Sequence, residues 1–256
     1  MSKLSKMRIG GEIHGAIRQE IYNLTQIGAT PLELETKTQE MIKEAGAKPS
    51  FTTVDNYQWA TCINVGASTV HGIPTSTVPF VDGDVVTVDL GVYYKGYHLD
   101  GAFTKIVGAP CKESQQVIDG GLAAIKAALS QVKPGNRIGH ISRATEQALK
   151  KHGLTSFQEL TGHGVGRQLH EDPMIPNQLN CALETTPQLV IGQTLAIEMI
   201  YTAGKPHLLL EEDGWTIKTK DDKLSGVFEE TVEVTHDGYS ILTKPTLFQV
   251  TKSGKI

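Results

Sequence analysis

Residue alternation in two regions, with capped helices between them, predicts an α+β fold built on antiparallel strands. In residues 85–92 the even positions are all aliphatic, so on a strand they share one face and Asp89 points from the other. After a break at Tyr94-Lys95-Gly96, the odd positions Tyr97, Leu99, Gly101 and Phe103 are mostly apolar and Asp100 falls on the opposite face. The two segments read as a hairpin. Pairing Leu90 with Leu99 and Val92 with Tyr97 joins the apolar faces and sets Asp89 directly across from Asp100. The pattern returns with glutamates: residues 195–201 have apolar odd positions with Glu198 facing away, and Phe228, Val232 and Val234 share a face that excludes Glu229. Like charges opposite one another on a strand pair are destabilising, so such a face needs a shared proton or a cation.

The elements follow in chain order. Aliphatics at Ile9, Ile13, Ile17, Ile21 and Leu24 predict an amphipathic helix over 6–27, weakened by Gly10 and Gly11. A capping box at Thr30-Pro31-Leu32-Glu33 starts a second helix running to Gly46, with Leu34, Thr38, Met41 and Ala45 inward. Residues 48–80 are irregular, apart from a strand at 61–65, and contain Tyr57, Trp59 and the loop histidine His71. Helices at 112–132 and 138–152 end at Lys133-Pro134-Gly135 and Gly153. Strands and turns fill 187–243, with Trp215 opening one strand. No linker or low-complexity tract interrupts the chain, so residues 1–256 are expected to form one domain. Paired helices or strands around an acid-bearing segment in each half hint at an internal duplication.

With 256 residues, 39% of them hydrophobic, the chain can support a substantial core. A formal net charge of −4 without a basic run argues against nucleic acid, and no apolar stretch has membrane or signal-peptide length. A cytoplasmic protein is expected. Cys62, Cys111 and Cys181 are odd in number, widely spaced and outside any CxxC, so free thiols are expected.

Residues 161–173 place Gly162, Gly164 and Gly166 around His163 and end in Leu169-His170-Glu171-Asp172-Pro173. A phosphate loop lacks its Lys-Ser/Thr here, and the HExxH spacing of a zincin is absent. Glycines around a histidine instead let backbone approach whatever the imidazole binds. One imidazole with Asp89, Asp100, Glu198 and Glu229 makes an oxygen-rich set suited to Mn, Fe, Co or Zn, with enough carboxylates to bridge two ions.

These residues bring out a likeness. HGIP at 71–74, DGDVVTVDLGVYYKGYHLDGAFT at 82–104, TGHGVGRQLHEDPMIPN at 161–177 and DGWTIKTKDDKLSGVFEETVEVT at 213–235 resemble the type I methionine aminopeptidases, pita-bread metallopeptidases, over about residues 6–243. The resemblance implies pseudo-twofold antiparallel sheets with helices packed outside. It also implies two divalent ions on Asp89, Asp100, His163, Glu198 and Glu229, with Asp100 and Glu229 bridging. Glu198, His170 and His71 take catalytic roles by the same likeness, and His71 and His170 also bind substrate, beside a side-chain pocket of Tyr57, Cys62, Leu169 and Trp215. The implied reaction is removal of N-terminal methionine from nascent proteins and peptides by attack of a metal-activated hydroxide. The partner is a peptide or nascent-chain N-terminus, and the protein a monomer.

Several positions depart from the pattern. Met199 replaces a usual proline, Glu230 a common histidine, and Leu169 a usual phenylalanine. Residues 66–68 lack the usual Asn-Glu, and the 180–189 stretch is slightly long. An Xaa-Pro peptidase of the same fold is one alternative, but Gln158 and Glu159 stand where those enzymes carry a further histidine. A non-catalytic binding protein is another, though such relatives lose ligands and none is lost here.

Overall fold

The computed structural model describes residues 2–243. The chain begins with α1 (Lys3–Leu24) and α2 (Pro31–Glu44), each slightly shorter or shifted relative to its expected span. In α2 the capping box forms as predicted, with Thr30 and Glu33 each bonding the other's backbone. Its buried stripe is Leu34, Glu35, Thr38 and Ile42, while Met41 is only half-buried and Ala45 is exposed. The stripe rotates because Glu35 turns inward: its carboxylate accepts from the Ala60 and Thr61 amides and the Thr61 hydroxyl, which fixes the start of the next long strand.

Short β1 (Lys48–Pro49) leads through a helical turn at 51–53 to β2 (Thr61–Val65), β3 (Ser68–Val70) and the hairpin of β4 (Val85–Tyr94) and β5 (Tyr97–Ile106). Helices α3 (Lys112–Leu129) and α4 (Ile138–Lys151) follow, then β6 (Thr155–Ser156), β7 (Thr161–Gly164), β8 (Glu171–Pro176) and β9 (Thr194–Thr202). The described chain closes with β10 (Leu208–Leu210), β11 (Ile217–Thr219), β12 (Ser225–Thr235) and β13 (Gly238–Ile241).

In the first sheet β4 pairs with β5 along one edge and with β2 and β1 along the other. The second has the order β13-β12-β9-β7-β8, with β6 also on β9, and the third is β10-β11-β3. Every pairing between these strands is antiparallel. The even positions Val86, Val88, Leu90 and Val92 are fully buried and pack with Ile17, Ile21, Leu34 and Ile42 of the first helix pair. Leu195, Ile197, Met199 and Tyr201, with Phe228 and Val232, pack against Val117, Ile125, Ile141 and Leu149 of the second pair. The expected pseudo-twofold architecture is thus present, with a helix pair behind each acid-bearing sheet. No helix among the described residues is long and apolar enough to cross a membrane.

Gly10 and Gly11 have a positive role in α1. A Cβ at Gly10 would lie 2.6 Å from Leu99 Cδ2, and one at Gly11 would lie 2.1 Å from the Leu242 carbonyl oxygen. Their lost helix propensity is exchanged for close approach of the helix to the sheet. Met199 sits in the core opposite Phe228, and its sulfur accepts from the Thr145 hydroxyl. The departure from proline there leaves the ladder intact.

The hairpin differs from its expected register. Lys95 and Gly96 have φ of 47° and 91°, forming a two-residue turn that pairs Tyr94 with Tyr97. Asp89 therefore faces Ala102, and Asp100 faces Gly91. A slip of two residues keeps each side chain on its expected face, so both acids still share one surface, now as diagonal neighbours. The acids that do oppose one another directly are Glu198 and Glu229.

Threonine hydroxyls stitch β5 to β12, where the two sheets meet. Thr104 Oγ1 donates to the Val227 carbonyl at 2.7 Å and accepts from the Val227 amide at 2.8 Å. Thr231 Oγ1 does the same for Asp100, at 2.8 and 3.0 Å. Thr104→Val keeps the shape but leaves both buried Val227 backbone groups unpaired, which should destabilise the fold by roughly 2–4 kcal/mol. Urea unfolding tests this, and an unchanged midpoint would show that the seam does not depend on the hydroxyl.

Candidate metal centre

The acid faces of the two sheets converge on a cavity of about 310 Å³. Its lining includes every residue singled out from the sequence: Tyr57, Cys62, His71, Asp89, Asp100, His163, Leu169, His170, Glu198, Trp215 and Glu229. Their placement follows from strand geometry. Asp89 and Asp100 come from the β4–β5 hairpin, and Glu198 and Glu229 from a cross-strand pair of β9 and β12. His163 lies on β7 opposite Ala196, so the glycine-rich segment supplies its imidazole from a strand rather than a loop.

The carboxylates and the imidazole form two overlapping groups. Ligand atoms of Asp100, His163 and Glu229 lie within 4.8 Å of one another, as do those of Asp89, Glu198 and Glu229. Glu229 belongs to both, whereas Asp100 falls only in the group with His163. His163 Nδ1 lies 2.9 Å from the Gly164 carbonyl oxygen, which can only accept, so Nδ1 carries the proton and Nε2 keeps its lone pair. The His170 ring packs edge-on against His163, with centroids 4.5 Å apart.

Burial dominates the electrostatics. Desolvation raises Asp89 to about 7, while the Asp100 hydrogen bond, the Leu90 backbone and Arg18 oppose the shift. Asp100, Glu198 and Glu229 are pushed well above the carboxylate range by burial and then by their acidic neighbours. His163 is lowered to about 4 by burial and then by His170, so its ring is neutral at pH 7. Asp89 Oδ1 and Glu229 Oε1 are buried and lack any hydrogen-bond partner among the described residues. Orphaned carboxyl oxygens that hold protons for want of another positive charge, beside a neutral imidazole with a fixed lone pair, fit a divalent cation.

Beside the acids lies an apolar bowl. Cys62 is the cross-strand partner of Asp89, so the bowl and the acids share one sheet face. Phe51, Tyr57, Cys62 and Leu169 are buried together there, with Val54, Trp59 and Trp215 packed around them. Tyr57 donates to the Thr61 carbonyl at 2.8 Å, and its ring meets Trp215 edge-on at 5.0 Å. Phe51, Val54, Leu160, Met174 and Ile200 also line the cavity without having been singled out in the sequence. Ile200 could have been found, since it lies two residues beyond Glu198 on the same face; the 51–53 turn carries no periodic signal.

His71 stands at the cavity with φ of 58°, in the left-handed region. The Asn64 carboxamide fixes that turn by accepting from the Gly72 amide at 3.0 Å and the Ser68 hydroxyl at 2.8 Å. Partial desolvation and then His170 lower its pKa.

Comparison with known proteins agrees with this geometry. Metallopeptidase family M24 matches residues 5–236. The chain is 34% identical to "Methionine aminopeptidase 1" of Bacillus subtilis, over 94% of this chain and 96% of the relative. It superposes on the crystal structure of a methionine aminopeptidase from Thermotoga maritima with a TM-score of 0.91 and 35% identity, covering 94% of this chain and 96% of that one. A prolidase from Pyrococcus furiosus shares the fold, with a TM-score of 0.75 at 24% identity, and this chain covers 64% of it.

The raised carboxylates give a pH test. A folded-state pKa above the unfolded value contributes stability that is full below the unfolded value, near 4, and lost as pH rises through about 7. Cations compete with those protons, so the gain from added metal must grow with pH. Melting temperatures of chelator-treated protein with and without Mn(II) should show a larger metal-induced increment at pH 7.5 than at pH 5.5. An equal or smaller increment at the higher pH would contradict a cation site built from these acids.

Proposed function

The chain belongs to metallopeptidase family M24, and from that premise we propose that it removes the N-terminal methionine from peptides and nascent proteins. The observation that carries this reading is the shared sheet face on which Cys62 of the apolar bowl stands directly opposite Asp89 of the acid cluster. A terminal side chain held in the bowl has its first peptide bond beside the acids. The bowl encloses that side chain, which suits an exopeptidase.

Divalent cations, bound by Asp89, Asp100, His163, Glu198 and Glu229, supply Lewis acidity and lower the pKa of water. The four carboxylates would balance the charge of two such ions, drawn from Co, Mn, Fe and Zn, and Glu229, common to both ligand groups, and Asp100 are the residues that would be shared. Glu198, whose carboxyl binds protons unusually well, takes a proton from the attacking water and delivers it to the departing amine. His170, beside His163, donates a hydrogen bond to the carbonyl oxygen as charge develops on it. His71 accepts from the N–H of the scissile amide. Tyr57, Cys62, Leu169 and Trp215 hold the methionine side chain. The described residues 2–243 act as one domain, since the cluster draws ligands from both sheets; the rest of the expected 1–256 span lies outside them. Three free cysteines suit a reducing compartment, and the protein works as a cytoplasmic monomer on peptide or nascent-chain termini.

Met-Ala-Ser should be cleaved in Mn(II) or Co(II), lost on exhaustive chelation and restored by either ion. Asp100→Asn should lose metal stoichiometry and rate together, by several hundredfold in kcat/KM. Cleavage of an Xaa-Pro dipeptide but not Met-Ala-Ser would favour the prolidase-like alternative, and full turnover after chelation would remove the metal from the mechanism.

Leu169 bears on selectivity because a methionine pocket discriminates only through apolar contact. Each methylene there is worth about 1–3 kcal/mol. Leucine or norleucine at the first position should be tolerated by the present wall, and Leu169→Phe should shift kcat/KM several-fold toward methionine. Equal ratios for Met-, Leu- and norleucine-Ala-Ser in both proteins would place residue 169 outside the specificity determinants.

A further inference from the structure

On the far side of the acid-bearing strands from the cavity, α1 presents two buried polar side chains one turn apart. His14 Nε2 lies 2.9 Å from the Leu90 carbonyl oxygen, next to Asp89, so Nε2 carries the proton. Arg18 Nη1 donates to the Glu229 carbonyl at 3.0 Å. Arg18 Nη2 contacts both oxygens of Glu230 at 2.9 Å and the Thr243 carbonyl at 3.3 Å, and the Thr243 hydroxyl donates to Glu230 as well. Arg18, Glu230, His14 and Thr243 are all at most 4% exposed. Gly101, next to Asp100, leaves the space they occupy: a Cβ there would lie 2.8 Å from both Arg18 Nη1 and His14 Cε1.

Two buried polar groups therefore meet the backbone beside Asp89, Asp100 and Glu229 at once. A core packed only for stability would place apolar side chains here, since a buried ion pair seldom outperforms them. A bare guanidinium behind a cation site would repel the cations, whereas one neutralised by Glu230 can hold the Glu229 carbonyl without that cost.

We propose that His14, Arg18 and Glu230 are positioning residues for the metal centre: the helix holds the acid-bearing strands from behind, and Glu230 cancels the Arg18 charge so that cations bind in front. The substitution of Glu230 for the common histidine then has a reason, because it is the counter-ion that Arg18 requires. This rests on the reading of the acid cluster as a cation site.

Isothermal titration with Co(II), the visible spectrum of bound Co(II) and the melting temperature of metal-free protein test it. Glu230→Gln keeps shape but leaves the buried Arg18 charge without its partner, so the metal-free melting temperature should fall and Co(II) affinity should fall about tenfold or more, beyond what that loss of stability accounts for. Arg18→Lys keeps the charge pair but gives up the separate Nη1 donation to the Glu229 carbonyl, so affinity should fall less and the Co(II) spectrum should shift. Wild-type affinity and spectrum in both variants overturn the proposal. So does a loss of affinity that merely tracks a fall in metal-free melting temperature, which would reduce the network to scaffold. If the wild-type protein itself binds no Co(II), it is the cation reading of the acid cluster that fails.

Discussion

Four carboxyl groups brought together away from water impose the condition that the rest of this structure satisfies. Two triads share Glu229, and Asp89 Oδ1 and Glu229 Oε1 have no hydrogen-bond partner among the described residues. Without a counter-charge such a cluster resists ionisation, which is why burial holds these carboxyls above their ordinary range. The folded chain therefore carries a local electrostatic debt that divalent cations relieve, and the surrounding elements keep the acids from moving apart. Thr231 binds both backbone groups of Asp100, and β9 pairs with β12 along nine residues centred on Glu198 and Glu229.

The same constraint explains why substrate selection and chemistry adjoin. Strand β4 is the common element: Asp89 looks into the cluster, and Cys62, paired with it across the ladder, starts the apolar bowl. Sheet pleat thus fixes where the bowl begins relative to the acids, while Phe51, Tyr57, Leu169 and Trp215 close it from turns and loops. The loops contribute what must approach from outside the sheets. His71 is held in a left-handed turn by Asn64, and His170 follows the strand carrying His163.

Behind the sheets, each helix pair covers an apolar face, but the two pairs are not equivalent. The pair α3 and α4 meets its sheet mainly through aliphatic and aromatic side chains, with neutral hydrogen bonds from Thr145 to the Met199 sulfur and from Tyr201 to the Val117 carbonyl. Helix α1 adds His14 and Arg18, which reach strand backbone where glycine leaves room. An internally repeated architecture thus carries, in its α1 half, a buried charged network that adjoins Asp89, Asp100 and Glu229.

Much of this was legible from residue order. Period-two alternation identified the faces of Asp89, Asp100, Glu198 and Glu229, because strand side chains must alternate and an apolar face must be buried. The Thr30 capping box marked a helix start because its partners lie only three residues apart. Local chemistry ends there. The hairpin register depended on a two-residue turn at Lys95-Gly96, so Asp100 came to lie diagonal to Asp89 and the opposed pair proved to be Glu198 and Glu229. Phe51 and Val54 joined the bowl from a turn with no periodicity, and Arg18 met Glu230 across 212 positions of chain. Sequence by itself determined which side chains face together, since that follows from the geometry of a single strand or helix. Which of them touch was decided only by tertiary structure, because such contacts depend on turns, strand partners and helix approach that no local pattern encodes.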